Sequence, residues 1–230
     1  MKVLAIETAC EQGSVALLYE GELLSRRIEG AKNHSEAVLR DIRDLLGEAG
    51  LVPAQLDAVA FGAGPGAFTG LRLACGIAQG LALGADLGVA AICSLQALAL
   101  RAEAPRVFVA TDARLGEVYH AAFVHDAENE PQAETGIRCC APGEVVLPPG
   151  RWSAAGSAFA AWPEALRQRL DDRLDACLPS LLPDAVEVAR LAVRRVEQGA
   201  LLAPEHAAPL YVRDKVALTT AERLARGGRA

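Results

Sequence analysis

The chain has 230 residues, of which 52% are hydrophobic and 23% are charged, and its formal net charge at pH 7 is −6. This composition is sufficient for one large or two small domains with a buried core, and it argues against intrinsic disorder. The negative net charge argues against a protein that binds a nucleic acid backbone by itself, because such proteins carry a basic surface. Any role with nucleic acid is therefore expected to be indirect or shared with a partner.

The six cysteines and the amino terminus give no sign of a secreted protein. No CxxC pair occurs and two of the cysteines are adjacent, so neither a disulfide framework nor a zinc site is predicted. The first residues, MKVLAIETAC, are typical of a strand rather than a signal peptide. Region 74–92 is the most apolar, but Gln79, Asp86 and its glycines argue against a membrane span. We expect a soluble, cytoplasmic protein without a membrane partner.

Apolar, β-rich runs bounded by glycine turns predict five strands in the first half of the chain. They are expected at residues 2–8, 14–19, 23–28, 56–61 and 88–92. The first three follow one another directly, so they predict an antiparallel meander.

Three helices are predicted between and after these strands. Ser35 is a good N-cap for the first, whose apolar residues recur at helical spacing until Gly50 stops it. The second is a long apolar run for which Thr69 is a plausible cap, and Ser94 is predicted to cap the third, which ends near Arg101. The resulting order β-β-β-α-β-α-β-α predicts an α/β half of the ribonuclease H-like or actin-like type.

The second half of the chain is less strongly patterned. Strands are predicted at 107–112 and 117–124, a loop at 126–134, helices at 158–169 and 183–198, and an extended segment at 209–213. With a boundary at Ala104-Pro105, we expect a first lobe over 1–104, a smaller second lobe over 105–215 and a loose tail over 216–230. The second lobe could be a degenerate duplicate of the first.

The segment 61–86 organises the rest of the chain. Its first residues, from Gly62 to Gly66, are too rich in glycine and proline for regular structure and predict a tight turn. The helix that follows carries Gly76, Gly80 and Gly84 along one face, and each costs roughly 1 kcal/mol against alanine. Two explanations stay open. The stripe packs closely on the chain's own sheet, or it docks on a partner chain.

Three motifs carry a resemblance to one family. The run from Gly64 to Arg72, GPGAFTGLR, is similar to the GPGSFTGLR signature of the TsaB family, which acts in bacterial tRNA threonylcarbamoyladenosine synthesis. The segment 112–119 matches the family's DARxGEVY, and 209–213 resembles its PxYLR with Val212 in place of leucine. His34-Ser35 matches the family's HS. The motif residues are Gly64, Pro65, Gly66, Phe68, Thr69, Gly70, Arg72, Asp112, Arg114, Glu117 and Tyr119.

The resemblance implies an α/β protein with the actin-like ATPase, ribonuclease H-like fold, in two lobes of mixed sheets flanked by helices. It implies a non-catalytic scaffold that binds the catalytic paralogue TsaD and the ATPase TsaE in threonylcarbamoylation of adenosine 37 of tRNA. The tRNA would be contacted only through the complex. No cofactor of its own is expected, and ATP would enter at the level of the complex.

A docking face is predicted on the first two helices, which would pack against the equivalent pair of the paralogue. A surface built for a structural relative is nearly self-complementary, so a homodimer is expected when the partner is absent. The predicted interface residues are Ser35, Leu39, Ile42, Leu46, Thr69, Leu73, Gly76, Ile77, Gly80, Leu83 and Gly84.

Two polar sets have both a chemical and a structural interpretation. Glu7 and Thr8 end the first strand, where actin-like ATPases usually carry an aspartate that organises phosphate, so they are candidates for nucleotide contact or for bonding loop amides. The set Asp112, Arg114, Glu117 and Tyr119 provides groups for general acid-base catalysis or for contacts within one turn. An active actin-like kinase or ATPase therefore remains an alternative function.

A metal site is not predicted. The four histidines lack the i, i+4 spacing of a helical metal pair. TsaD carries an HxxxH pair after its fifth strand, and the corresponding region here, 93–100, contains no histidine. A hydrolase, the second alternative, also lacks a GxSxG nucleophile motif.

Overall fold

The computed structural model describes residues 1–28 and 34–213, and the predicted tail 216–230 lies outside them. Within these ranges the chain forms six α-helices, four short 3₁₀ helices and eleven strands. The helices are α1 His34–Glu48, α2 Phe68–Ala85, α3 Ser94–Arg101, α4 Ala158–Ala161, α5 Pro163–Leu170 and α6 Ala185–Glu197. The strands are β1 Lys2–Glu7, β2 Gly13–Tyr19, β3 Glu22–Ile28, β4 Ala58–Gly64, β5 Gly88–Cys93, β6 Arg106–Arg114, β7 Glu117–His125, β8 Pro131–Ala133, β9 Arg138–Cys140, β10 Trp152–Ala155 and β11 Leu174–Leu178.

The first sheet has the strand order β3-β2-β1-β4-β5. Strand β2 is antiparallel to both β1 and β3, which confirms the predicted meander, and β1 is parallel to β4. Successive side chains of β1 point to opposite faces because the period of a strand is two residues. Leu4 and Ile6 pack under α1 and α2, whereas Val3 and Ala5 pack under α6. Both faces of the first sheet are therefore covered by helices.

The second sheet repeats the order of the first. Strands β6, β7 and β8 form an antiparallel meander, and β10 and β11 add parallel to β6 on its other side. The chain is thus a duplication with two mixed sheets flanked by helices, as the sequence predicted for the fold class. The predicted loop over 126–134 is wrong in part, since it contains β8. Strands β8 to β11 have three to five residues each, too few for a clear alternating pattern.

Each half of the chain contributes one helix to the sheet of the other half. Leu95 and Leu98 of α3 pack with Val107 and Val109 of the second sheet. The residues of α6, although late in the chain, pack on the first sheet with Ala5. The packing of the helices therefore crosses the boundary predicted at residues 104 and 105.

Three predicted helix starts or extents differ from the structure. Helix α1 begins at His34 and α2 at Phe68, so Ser35 and Thr69 lie within first turns and the cap assignments are wrong. The predicted helix over 158–169 is interrupted at Trp162, because the residue before a proline is disfavoured in the helical region and Pro163 starts a new helix.

Helix α2 is long and apolar enough to cross a membrane by length and composition alone. Here it packs along the first sheet, and its inner side buries Leu71, Ala74, Ala78 and Ala82. Such a helix is weak evidence for a membrane span.

Candidate functional site

The glycine stripe of α2 faces away from the protein. Gly76, Gly80 and Gly84 are exposed, and a Cβ built on any of them meets no atom of the chain within 4 Å. The first explanation, close packing on the chain's own sheet, is therefore wrong, because small alanines on the opposite side of α2 make that contact.

The outer side of α2 is unusual for a surface exposed to water. Arg72 is the helix's one charged residue, and the exposed fraction is 73% for Leu83 and 45% for Phe68. Three glycines inside a helix cost roughly 1 kcal/mol each, and no packing within the described chain offsets this. The stripe thus exposes uncharged backbone next to apolar side chains.

Helix α1 contributes fewer residues to this surface than predicted. Ser35 and Leu39 are exposed, but Ile42 and Leu46 are buried in the core under the first sheet. Their assignment to a partner surface is wrong, because the apolar spacing of α1 marks the side that faces its own sheet.

Two predicted interface residues of α2, Leu73 and Ile77, are half-buried. Both pack against the core formed by α1, α2 and the first sheet. They lie between the buried and the exposed sides of the helix, so a partner would reach only their outer parts.

The three sequence motifs meet in space, in what we call the motif junction, formed by residues 63–72, 112–119 and 210–213. On its first side, the Arg72 guanidinium lies 3.9 Å from the Phe68 ring centroid, and its Nε donates to the Tyr211 hydroxyl at 3.1 Å. The rings of Phe68 and Tyr211 are 5.8 Å apart, and the Leu210 amide donates to the Ala63 carbonyl at 2.7 Å. The terminal segment is thereby bonded to the start of α2.

On its second side, the motif junction is held by Arg213. Its guanidinium pairs with Glu117 at 2.7 Å and donates to the Ala113 carbonyl at 2.9 Å. The same group lies 5.8 Å from the Tyr119 ring, and burial raises the pKa of the Tyr119 phenol. The segment 210–213 therefore ties α2 to the β6–β7 turn of the second sheet.

The set around the β6–β7 turn serves this junction rather than a common reaction centre. Asp112 pairs with Arg114 at 3.3 Å and accepts hydrogen bonds from the Arg114 amide and the Trp162 indole. Glu117 instead pairs with Arg213. Each of the two carboxylates forms an ion pair with a different arginine. This geometry favours contacts within the turn over general acid-base catalysis by these residues.

Three cavities lie beside the motif junction. One, of about 170 Å³, is lined by Glu11, Pro65, Asp112, Arg114 and Ser157 among others, and the second, of about 190 Å³, lies beside Phe68 and Tyr211. The third, of about 380 Å³, is lined by Glu11, Asp112, Arg114 and Ser157 among others. Pockets that enclose drug-sized ligands are roughly 300–1,000 Å³, so only the third reaches that range.

Glu7 and Thr8 lie inside the protein and line none of these three cavities. The exposed fractions are 0% and 1%, and both side chains have partners within the chain. Glu7 accepts hydrogen bonds from the Ala9 amide and the Ser94 hydroxyl, each at 2.7 Å, and the Thr8 hydroxyl donates to the Gly70 carbonyl at 2.7 Å. Nucleotide contact by these two residues stays a prediction, and their burial does not favour it.

Ser94 is a site residue that the sequence did not identify. Sequence reasoning gave it the role of a helix cap, since serine before a periodic run has that meaning. Its hydroxyl instead lies between Glu7 and the Gly64 amide, which donates to it at 3.2 Å.

Within residues 1–28 and 34–213, no three or more His, Cys, Asp or Glu side chains come together as a metal site. All six cysteines are free thiols. The described residues thus offer no donor set for a metal.

Comparisons with known proteins identify the family. The model described as TsaD, tRNA N6-adenosine threonylcarbamoyltransferase, matches residues 28–217. The tRNA threonylcarbamoyladenosine biosynthesis protein TsaB of Escherichia coli is 36% identical over 94% of this chain and 96% of its own length. The TsaB protein of Haemophilus influenzae is 34% identical over 94% and 95%, respectively.

A solved structure agrees. An uncharacterised protein of Pseudomonas aeruginosa with similarity to peptidase YeaZ superposes with a TM-score of 0.85 at 37% identity, over 92% of this chain and 99% of the other. These matches confirm the predicted actin-like, ribonuclease H-like fold. The chain belongs to the TsaB family of tRNA threonylcarbamoyladenosine biosynthesis proteins.

Proposed function

We propose that this chain is a non-catalytic scaffold for threonylcarbamoylation of adenosine 37 of tRNA, and that it docks onto the catalytic paralogue TsaD through the outer sides of α1 and α2. The observation that carries the proposal is the exposed glycine stripe, which has no packing role within the described chain. The family relationship supports the pathway, since the relatives are named for the synthesis of this modification.

The docking face follows from exposure and chemistry. Bare backbone at Gly76, Gly80 and Gly84 lets a second helix approach closely, as small residues do between packed helices. Leu39 and Leu83 provide apolar area beside the stripe. Because the paralogue shares the fold, its equivalent helix pair would complete a four-helix interface. The face as we propose it comprises Ser35, Leu39, Thr69, Leu73, Gly76, Ile77, Gly80, Leu83 and Gly84.

The motif junction supports a scaffold role. Hydrogen bonds and an ion pair from Leu210, Tyr211 and Arg213 hold the start of α2 against the second sheet. A surface already fixed before association loses less entropy on binding. In this proposal the ATPase TsaE, ATP and tRNA bind to the assembled complex, in the cytoplasm, and the isolated chain forms a homodimer through the same face.

Catalysis by this chain has less support. An actin-like kinase needs phosphate-binding groups that face a cleft, whereas Glu7 is buried and lines none of the three cavities beside the motif junction. A peptidase needs an activated nucleophile or a metal, and the described residues show no metal-binding cluster. Burial raises the pKa of the Cys10 thiol to about 12, which makes it a poor nucleophile.

Reconstitution tests the proposed function. TsaD, TsaE, ATP, threonylcarbamoyl-adenylate and a tRNA transcript from the same organism are incubated with and without this chain, and the modified nucleoside is quantified. We expect modification only when the chain is present, and no ATP turnover by the chain alone. Equal modification without the chain, or ATP turnover by the pure chain, would contradict the scaffold role.

A further inference from the structure

The carboxylate of Glu7 is part of a buried chain of hydrogen bonds that the proposed function does not use. Its Oε1 accepts from the Ala9 amide and its Oε2 from the Ser94 hydroxyl, each at 2.7 Å. The Ser94 hydroxyl oxygen accepts in turn from the Gly64 amide at 3.2 Å. The end of β1 is thus connected to the glycine turn before α2 through one carboxylate and one hydroxyl.

The backbone is shaped around this carboxylate. A Cβ at Gly62 would overlap the Glu7 carboxylate, and a Cβ at Gly70 would overlap the Thr8 carbonyl oxygen. The residues after Glu7 reach α2 itself, since the Ala67 amide donates to the Ala9 carbonyl and Thr8 donates to Gly70. Residues 7–9 therefore contact both the glycine turn and the first turn of the helix that carries the stripe.

The hydrogen bonds around Glu7 suit its ionised state better than its protonated state, although burial opposes ionisation. Both carboxylate oxygens face donors, so a proton on Oε1 would point at the Ala9 N–H. A proton on Oε2 would have to be donated to the Ser94 oxygen, which already accepts from Gly64, and the Ser94 hydroxyl would lose its acceptor. Either position of the proton breaks a bond in the chain.

The groups around Glu7 place this change near neutral pH. Burial raises the pKa of Glu7 to about 7, against the lowering effect of the Ala9 and Ser94 hydrogen bonds and with a smaller raising effect from Asp184. Asp184 is itself paired with Arg27 and Arg101, each at 3.3 Å. The neighbouring elements place uncharged residues at Glu7. These residues are Gly62 of β4, Ser94 of α3 and Ser14 of β2.

Two thiols also lie close to Glu7. Burial raises the pKa of Cys10 to about 12 and that of Cys93 to about 11. Both thiols are therefore neutral around pH 7, where Glu7 itself titrates.

We propose that Glu7 is a positioning residue for docking, whose ionised carboxylate holds the glycine turn and the start of α2 in the geometry that fits the paralogue, so that docking weakens when Glu7 takes up a proton. This inference rests on the proposed function and deepens it, because it makes assembly of the complex sensitive to pH. It assigns Glu7 a role different from nucleotide contact.

The test measures the affinity of the full chain for TsaD between about pH 6 and about pH 8, by calorimetry. If docking needs the ionised form, the wild-type Kd rises about tenfold from about pH 8 to about pH 6. Glu7→Gln, which cannot ionise, is expected to bind weakly with no such dependence. Ser94→Ala removes a hydrogen bond that stabilises the ionised carboxylate, so the pH at which the Kd changes should move higher. Glu164→Gln, the same change on the exposed surface of α5, is the matched control and follows the wild type.

The outcomes separate the two proposals. Tight binding that does not change with pH, or a Glu7→Gln variant that keeps the wild-type pH profile, would overturn the role of Glu7 and leave the docking face intact. Absence of binding by every variant at every pH would overturn the docking proposal and this inference with it. Circular dichroism of each variant confirms that the compared chains are folded.

Discussion

The two helices on the same side of the first sheet, α1 and α2, differ in what they present to solvent. Helix α1 is an ordinary amphipathic helix, with Ile42 buried and Arg43 78% exposed. Helix α2 buries alanines and exposes glycines, with Leu83 73% exposed among them. Water solvates the charged side of α1 well, whereas the outer side of α2 has one charged residue, Arg72, and no side-chain cover at its three glycines. The comparison indicates that α2, more than α1, provides the surface on which we propose that a partner docks.

The largest expected effect is the loss of docking when the stripe of α2 is filled. Gly80→Leu places a bulky side chain where a partner backbone would approach, so we expect the affinity for TsaD to fall at least hundredfold, or about 2.8 kcal/mol. The isolated chain should stay folded, since a Cβ at Gly80 meets no atom. Calorimetric titration with TsaD measures the loss.

The matched control for this substitution is Gly136→Leu. Gly136 is an exposed glycine of the second half whose Cβ also has open space. Undiminished binding by Gly80→Leu, or an equal loss in Gly136→Leu, would contradict the role of the stripe.

The next effect separates the two sides of α1. Ile42→Ala removes a buried side chain and should lower the free energy of unfolding by about 2–4 kcal/mol. Leu39 is 52% exposed, so Leu39→Ala should change the free energy of unfolding by less than about 0.5 kcal/mol. Urea denaturation measures both, at low protein concentration because association stabilises the folded state. Equal destabilisation by the two variants would place Leu39 in the core.

A smaller effect of opposite sign is expected on α2. Gly76→Ala should raise the stability of the isolated chain by about 0.5–1 kcal/mol, because alanine is the better helix former and the site has room for its Cβ. The same denaturation experiment measures it. A lower stability in Gly76→Ala would mean that the glycine serves the chain's own packing after all.

The most specific effect is the pH dependence of stability due to Glu7. Its pKa rises from 4.5 to about 7 on burial, so the folded state binds the proton more tightly than the unfolded state. This contribution to stability is fully present below about pH 4.5 and is lost as the pH rises through about 7. Relative to Glu7→Gln, the wild type should therefore lose stability between about pH 5 and about pH 8. A difference in stability between the two chains that is constant over this range would contradict the raised pKa.

The regular parts of the fold could be predicted because their patterns are local. The meander of the first sheet has apolar, β-rich runs and glycine turns, and α1 and α2 have long apolar or periodic runs, so their type followed from the sequence. The exchange of α3 and α6 between the sheets could not be predicted, since an apolar helix face does not say which sheet it covers.

The candidate site was predictable only in part, for a related reason. The four-residue spacing of the glycines identified the stripe. Apolar spacing wrongly selected Ile42 and Leu46, because every amphipathic helix has an apolar side and in α1 that side faces inward. Ser94 escaped notice since its bond to Glu7 joins residues 87 positions apart. The motif junction likewise joins three segments that are distant in the chain.

The measurement that tests the central claim most directly is the light-scattering mass of the pure chain, alone and mixed with TsaD from the same organism. The account predicts a homodimer alone, which TsaD replaces by a one-to-one complex, because both partners use the same face of α1 and α2. A chain that stays monomeric and forms no complex with TsaD would contradict the claim that the exposed glycine stripe is a docking surface.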